Sequence, residues 1–347
     1  MRLNARKSVL SRAVPLLALI LVSPAWGEAV CEDVAGRGYL KILTINIFLD
    51  PDNLSDIGAR DQRSQDLVDF FIVDNPGLLP DIINVQEVVG GDLVNTDNSA
   101  EDLQMFFQDA GVDYNLQTVF EAGIPGVLAT ANAILSRCEI VFKLFTFLPV
   151  EESVEVLGIE VPVTRNVMMV RLNIPGFGKA SVYNTHLCAS CAKQQREVQV
   201  DAMLDFINSV EGFLNRFNPN ATPVVLAGDF NIDRFRDDGT GPEEELYQAI
   251  LEDEFIDGYA ESVGIDPALL CENPDPTLSD EHCTVGVSEP IEDPDDAGRR
   301  IDYIFPRDSG QVTNADVLFN PGAVSGGIPP AVSNHAAVFA MVHLPLP

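Results

Sequence analysis

The sequence predicts one domain in which two β-sheets pack together and are flanked by helices. Short runs of apolar and β-branched residues alternate with segments of helical periodicity along the chain. Several of these runs are apolar almost without interruption, as expected of strands buried on both faces. No linker rich in Gly, Ser or Pro divides residues 28–347, so we expect a single domain.

Two helices and nine strands are predicted from these patterns. One helix spans residues 193–214, where Met203, Phe206, Ile207 and Val210 recur at helical spacing. The second spans residues 61–74 and ends before a Pro-Gly pair. Residues 266–298, rich in Pro, Asp and Glu, predict a long surface loop closed by a disulfide. The predicted strands are residues 40–48, 81–86, 133–135, 140–147, 167–172, 180–184, 224–227, 301–305 and 337–344.

The N-terminal residues have the pattern of a secretory signal peptide. Four basic residues precede an apolar run over residues 13–22, and small residues occupy positions 25 and 27, ahead of Glu28. The alternative, an uncleaved anchor, is disfavoured because a bilayer core needs about 20 apolar residues. We therefore expect residues 1–27 to be removed, the rest to be secreted or periplasmic, and no transmembrane segment.

The charge is strongly negative. The chain has 21 Lys and Arg against 53 Asp and Glu, a net charge of −32, which becomes −36 when the four basic residues of 1–27 are removed. A general nucleic-acid binder needs a basic surface. This composition therefore argues against such a protein, unless a metal or a few arginines make the binding site locally positive.

Six cysteines follow residue 27, and in an exported chain we expect them to form disulfides. Six cysteines allow 15 connectivities. His186 with the nearest two cysteines could instead form part of a zinc site, but one Cys-x-x-Cys pair is weak support. Short separations favour two pairs and leave a third: Cys188–Cys191, Cys271–Cys283 and Cys31–Cys138.

Polar residues follow or interrupt the apolar strands. Asn46 interrupts the first strand, and Glu87 comes directly after the second, where a carboxylate at a sheet edge can coordinate a hard cation. A polar residue at the end of one strand is common, but its recurrence at several strands predicts a shared site. The pattern recurs in Asn184-Thr185-His186, Gly228-Asp229-Phe230-Asn231, Arg300-Ile301-Asp302-Tyr303 and Ser333-Asn334-His335.

This ordered set resembles the endonuclease/exonuclease/phosphatase superfamily of metal-dependent phosphoesterases, over about residues 40–344. The segments around Asp229 and Asp302 are the most specific, supported by Asn132-Ala133-Ile134-Leu135-Ser136-Arg137 and by residues 196–199. The resemblance implies an α+β fold, a four-layer α/β/β/α sandwich of two packed mixed sheets flanked by helices. The active site would lie at one edge of the paired sheets.

The resemblance also implies a catalytic role for five residues. Asp229 and Asn231 would line the phosphate and the attacking water, and His186 would bond a phosphoryl oxygen. Asp302 would orient His335, the general base. A histidine suits that role near neutral pH when a carboxylate fixes its tautomer.

Metal ligands and a further substrate contact are implied in the same way. Glu87 and Asn46 would hold Mg²⁺, with Mn²⁺ or Ca²⁺ as alternatives, because a phosphodiester anion must be neutralised before water attacks. Asn334 stands where the family commonly has Asp, which keeps an oxygen ligand but loses a charge. Arg165 would bind substrate together with Asn231 and His186; the alternative is an ordinary surface arginine.

The function predicted is that of a secreted Mg²⁺-dependent phosphoric diester hydrolase, resembling secreted sphingomyelinase C-like phosphodiesterases. A zwitterionic phospholipid such as sphingomyelin suits the acidic chain better than DNA, whose binding depends on phosphate neutralisation. We expect a monomer that contacts a membrane surface transiently. The alternatives are a secreted deoxyribonuclease-like endonuclease and a non-catalytic binding protein that retains the fold.

Overall fold

The computed structural model describes residues 31–47, 54–92, 96, 98–124, 128–156, 159–216, 222–232, 234, 243–265, 271, 282–285, 299–319, 333 and 335–345. The predicted signal peptide, Asn334 and most of residues 266–298 lie outside these ranges. Within them, no helix is long and apolar enough to cross a membrane.

The described strands form two mixed sheets. The first has the order β10-β11-β1-β2-β4-β3 and the second the order β5-β6-β7-β8-β9. The pairs β1–β2 and β7–β8 are parallel, and the other neighbours are antiparallel. The strands are β1 Tyr39–Asn46, β2 Ile82–Gly90, β3 Asn115–Ile124, β4 Leu128–Ser136, β5 Glu139–Val156, β6 Ile159–Ile174, β7 Gly178–His186, β8 Val224–Asp229, β9 Asp302–Arg307, β10 Val312–Leu318 and β11 Ala337–His343.

Helices cover the outer faces of both sheets. Side chains alternate between the two faces of a strand, so Ile42 packs in the core between the sheets while Leu43 packs under the helices of the first sheet. Met203 of α4 packs in a third core against the second sheet. The four-layer α/β/β/α sandwich is thus confirmed. The helices are α1 Glu32–Arg37, α2 Leu54–Asp69, α3 Ser99–Asp109, α4 Lys193–Leu214, α5 Glu244–Glu252 and α6 Gly258–Val263, with a π-helical turn Phe70–Asp74 and a 3-10 turn Pro76–Leu78.

The predicted helix at residues 193–214 is confirmed at both ends, whereas the other predicted helix begins earlier, at Leu54. Two strands were not predicted. The sequence of β3 mixes polar and apolar residues, and β10 contains Asn314 and Asp316 beside a bulge. Such residues are uncommon in strands, so the local pattern gave no signal.

Three disulfides are present, with the predicted pairing: Cys31–Cys138, Cys188–Cys191 and Cys271–Cys283. Among the described residues no cysteine is free. The sulfurs of Cys188 and Cys191 are therefore committed to each other, which contradicts the alternative of a zinc site with His186.

The parallel pair β7–β8 approaches closely where Thr185 lies opposite Gly228. Gly228 has φ +148°, and a Cβ placed on it would lie 2.0 Å from the carbonyl oxygen of Thr185. Only glycine fits there, because both the backbone conformation and the space exclude a side chain. The close approach sets the positions of His186 and Asp229, which directly follow these two residues.

We expect Gly228→Ala to lower the free energy of unfolding by about 3 kcal/mol or more, since backbone strain adds to overpacking. Urea unfolding measures this. The matched control is Gly212→Ala, in α4, where a Cβ would meet nothing within 4 Å. That variant should be more stable by about 0.5–1 kcal/mol, and equal midpoints for the two variants would contradict the account.

Candidate active site

Five strands bring polar residues to one edge of the paired sheets. Asn46 ends β1, and Glu87 lies at a bulge in β2, where its φ of 56° turns the chain out of the regular ladder. The register of the second sheet pairs His186 of β7 with Asp229 of β8, and Asp229 with Asp302 of β9. His335 lies just before β11.

The first contact across the two sheets is made by Asn46. Its Nδ2 donates to Glu87 Oε1 at 3.0 Å and to Asp229 Oδ2 at 3.1 Å. Asn231 lies beside Asp229, with its backbone N donating to Asp229 Oδ1 at 2.9 Å and its Nδ2 donating to Leu187 O at 3.0 Å. Asn46 and Asn231 thus hold Asp229 from two sides.

His335 forms a dyad with Asp302. Its Nδ1 donates to Asp302 Oδ2 at 2.9 Å and lies 3.8 Å from Asp229 Oδ2. Thr284 Oγ1 accepts from the backbone N of Asp302 at 3.2 Å, which fixes the start of β9. Burial lowers the pKa of His335, but Asp302, Asp229 and Glu87 outweigh this and raise it to about 9.

His186 is buried on the opposite side of Asp229. Its Nε2 lies 3.5 Å from Asp229 Oδ2 and 3.9 Å from Glu87 Oε1. Its Nδ1 lies 2.8 Å from Nη1 of Arg165. Burial and the positive charge of Arg165 hold the pKa of His186 well below its usual range.

Arg165 is 6% exposed, which contradicts the alternative of a surface arginine. Its Nε and Nη2 donate to Glu152 Oε2 at 3.0 and 2.8 Å, and its Nη1 to Glu121 Oε2 at 3.3 Å. Asn132 Nδ2 donates to the other oxygen of Glu121 at 2.9 Å. That Arg165 binds substrate stays a prediction.

Neither of these two carboxylates was predicted from the sequence. Glu121 lies in β3, which was not predicted, and Glu152 lies in an acidic run that resembles an exposed surface. Burial, together with the charge of Glu87, raises the pKa of Glu121 to about 7 against the lowering effect of Arg165. An acidic residue within the apolar run Val119-Phe120-Glu121-Ala122 was the available signal.

The donor set fits a hard divalent cation. Donor atoms of Asp229, Asp302 and His335 all lie within 4.8 Å of one another. Burial and the charge of Asp302 raise the pKa of Asp229 to about 7, which reflects uncompensated negative charge. Within the described chain, Asp302 Oδ1 is buried without a hydrogen-bond partner. Carboxylate and amide oxygens suit Mg²⁺, Mn²⁺ or Ca²⁺, and Glu87 adds a further carboxylate beside Asn46.

Solved structures of several proteins share the fold of this chain at low sequence identity. One is an endonuclease/exonuclease/phosphatase from Beutenbergia cavernae, with 21% identity, a TM-score of 0.58, and coverage of 89% of this chain and 72% of that one. The human Nocturnin catalytic domain with bound sulfate has 14% identity, a TM-score of 0.56, and coverage of 89% and 94%. A Bacteroides thetaiotaomicron mannosyl-6-phosphatase has 18% identity, a TM-score of 0.55, and coverage of 87% and 99%.

No curated protein matched the chain significantly. A family model, described as the Endonuclease/Exonuclease/phosphatase family, matches residues 43–335. This range contains all the site residues located above, from Asn46 to His335. Members of this family hydrolyse phosphoesters and typically depend on a divalent metal. The chain therefore belongs to the endonuclease/exonuclease/phosphatase family.

Proposed function

We propose that this chain is an exported, Mg²⁺-dependent phosphodiesterase that cleaves a phospholipid-type diester by attack of water. The observation that supports this best is the convergence of Glu87, Asp229, His186 and the Asp302–His335 dyad at one edge of the sheets. This set holds the parts that water attack on a phosphate ester requires: oxygen ligands for a cation, a base and hydrogen-bond donors.

The proposed base is His335. Asp302 accepts the hydrogen on Nδ1, so the opposite nitrogen, Nε2, takes the proton from water. His186 donates to a phosphoryl oxygen, and Asn231, held against Asp229, orients the phosphate and the water.

Glu87 and Asn46 would hold the cation, with Asn334 as a third proposed ligand. Asp229 Oδ2 accepts from Asn46 Nδ2 at 3.1 Å, so the Asp229 carboxylate would contribute negative charge beside the cation. When bound, the metal supplies the positive charge that neutralises the phosphodiester anion.

The charge balance of the site favours a diester over a monoester. Arg165, which contacts His186, is already neutralised by Glu121 and Glu152. A monoester dianion would need more compensating charge than a diester, which carries one negative charge. The net charge of −32 across the chain opposes the approach of DNA, whereas a phosphocholine headgroup has no net charge.

An exposed aromatic pair supports a lipid substrate. Phe145 and Phe147 of β5, the edge strand of the second sheet, are 46% and 52% exposed, with ring centroids 5.6 Å apart. Phe147 pairs with Asn166, the residue after Arg165, so the pair lies at the same end of the sheet as the site. Exposed aromatic rings of this kind favour transient contact with a membrane surface.

Glu87→Gln should lower turnover by about 100-fold or more, because it removes charge that holds the cation. The assay measures hydrolysis of sphingomyelin, duplex DNA, a soluble aryl phosphodiester and an aryl monoester, with Mg²⁺ and with excess chelator. Glu197→Gln, an exposed carboxylate of α4, is the matched control and should keep full activity.

Full activity of Glu87→Gln, or activity that survives the chelator, would contradict the metal-dependent mechanism. Efficient DNA cleavage that falls steeply with added salt would favour the endonuclease, since phosphate contacts then dominate. No hydrolysis of any substrate by a correctly folded protein would favour the non-catalytic alternative.

The double variant Phe145→Ser/Phe147→Ser should lose about 10-fold of its activity on phosphatidylcholine–sphingomyelin vesicles, because the removed rings bury apolar area in the interface. Activity on the soluble aryl diester should stay unchanged. The control is Phe213→Ser, which is 74% exposed; it lies near the end of the 22-residue α4, about 30 Å from the site end. Equal loss on both substrates would contradict interfacial contact.

In the metal-free protein, the ring of His335 should lose its proton only near pH 9, and NMR of the ring protons over a pH series measures this. The base is therefore inactive at neutral pH until negative charge nearby is offset. Saturating Mg²⁺ should lower the pKa, because it offsets the charges of Asp229 and Glu87. Asp302→Asn should lower it without metal, and a pKa that neither change moves would contradict the proposed charge coupling.

A further inference from the structure

We propose that Arg165 is a positioning residue that fixes His186 in the tautomer with its proton on Nε2. The use of that proton as a donor to a phosphoryl oxygen rests on the proposed function, whereas the tautomer itself does not. The assignment follows from the contact between Arg165 Nη1 and His186 Nδ1 at 2.8 Å.

An arginine guanidinium carries five N–H donors and no acceptor, and it keeps its charge in proteins. At 2.8 Å the nitrogen that it faces must therefore accept a hydrogen bond. A His186 ring with hydrogen on Nδ1 would direct two donors at each other. The ring is consequently neutral, and its one proton lies on Nε2.

This Nε2–H lies toward the centre of the site. It is 3.5 Å from Asp229 Oδ2 and 3.9 Å from Glu87 Oε1, and both distances are longer than a good hydrogen bond. The donor is therefore not consumed by either carboxylate. A phosphoryl oxygen that enters between these groups would accept a hydrogen bond from an Nε2–H that is already oriented toward it.

The position of Arg165 is itself fixed. Glu152 accepts from Nε and Nη2 of Arg165, and Glu121 accepts from Nη1. The buried positive charge of Arg165 therefore lies between two carboxylates. Glu152 Oε1 in turn accepts from the backbone N of Ser190 at 2.8 Å, within the loop closed by Cys188–Cys191. The guanidinium cannot leave His186 without breaking this charge-assisted network.

The partners at Nδ1 of the two histidines therefore favour opposite tautomers of the neutral ring. Asp302 at Nδ1 of His335 selects hydrogen on Nδ1 and leaves Nε2 to accept a proton. Arg165 at Nδ1 of His186 selects the reverse, a ring that donates from Nε2. A carboxylate at Nδ1 leaves Nε2 as an acceptor, whereas a guanidinium at Nδ1 leaves Nε2 as a donor.

The direct test is ¹⁵N NMR of the metal-free protein labelled at histidine. The chain has four histidines, so single substitutions assign the signals. Long-range ¹H–¹⁵N correlations distinguish a protonated ring nitrogen from an unprotonated one. We expect His186 Nδ1 to be unprotonated and Nε2 protonated, and a proton on His186 Nδ1 would overturn the proposal.

Arg165→Met alone would leave two buried carboxylates without their counter-charge, which can prevent folding. The informative variant is therefore Arg165→Met/Glu121→Gln/Glu152→Gln, in which all three groups are neutral. It should lose the preference for Nε2–H, whereas Arg165→Lys, which retains a donor, should keep it. An unchanged tautomer in the triple variant would overturn the proposal.

Kinetics separate this role from substrate binding. If His186 donates in the transition state, the triple variant loses about 100-fold in kcat with little change in KM, the scale for one lost donor. Arg165→Lys should recover most of that loss. A rise in KM with an unchanged tautomer would show direct substrate binding by Arg165 instead. A folded protein that hydrolyses no substrate would refute the proposed function. The tautomer of His186 is tested separately, because the NMR measurement requires no substrate.

Discussion

The site depends on hydrogen bonds that cross between the two sheets inside an apolar core. Asn184 of β7 donates from Nδ2 to the carbonyl oxygens of Val85 at 3.0 Å and Ala133 at 2.8 Å, and its Oδ1 accepts from Gln86 at 2.7 Å. A buried amide without partners costs about 1–3 kcal/mol. The sheets are therefore stable in the one alignment that pairs these groups, and apolar packing alone would tolerate others.

That alignment decides the geometry of the candidate site, because the hydrogen-bonded residues lie one or two positions before residues of the site. Gln86 is followed by Glu87 at the bulge, and Asn184 lies two residues before His186. Both Gln86 and Asn184 are fully buried. The distances among the site residues are thus set one layer below the site, by groups that never meet the substrate.

Positive charge is supplied to the two halves of the site in different ways. On the side of His186, Arg165 is permanent, buried and matched by Glu121 and Glu152. On the side of His335, neighbouring negative charges raise the pKa values of Asp229 and His335, which favours bound protons when no cation is present. In the first half the positive charge is therefore part of the chain, whereas in the second a cation or protons must supply it.

The sequence predicted the features that local pattern encodes. Asn46, His186, Asp229 and Asp302 each end or begin a strand, Glu87 lies at a bulge within one, and the structure brings all five to one edge. The disulfide pairing followed from separation along the chain.

The network around Arg165 was not predictable in this way. It joins β3, β5 and β6, and its members are separated by 13 and 44 residues along the chain. No local pattern distinguishes a buried Glu152 from the exposed acidic residues that dominate this composition. The contact exists because the long β5–β6 hairpin packs against β3. This is tertiary packing, which the secondary-structure propensities of single residues do not encode.

The place of β11 in the first sheet has a consequence for the order of assembly. This strand, the last one described, lies between the edge strand β10 and β1, so β10 has no neighbour in the sheet until β11 has paired with β1. Pairing of β11 with β1 joins segments about as distant along the chain as two strands can be, and such contacts form slowly. Because His335 lies just before β11, the proposed base joins Glu87, Asp229 and Asp302 only when β11 pairs with β1, and Asn334, a proposed cation ligand, arrives with it. The candidate site is therefore complete only after the first sheet has closed.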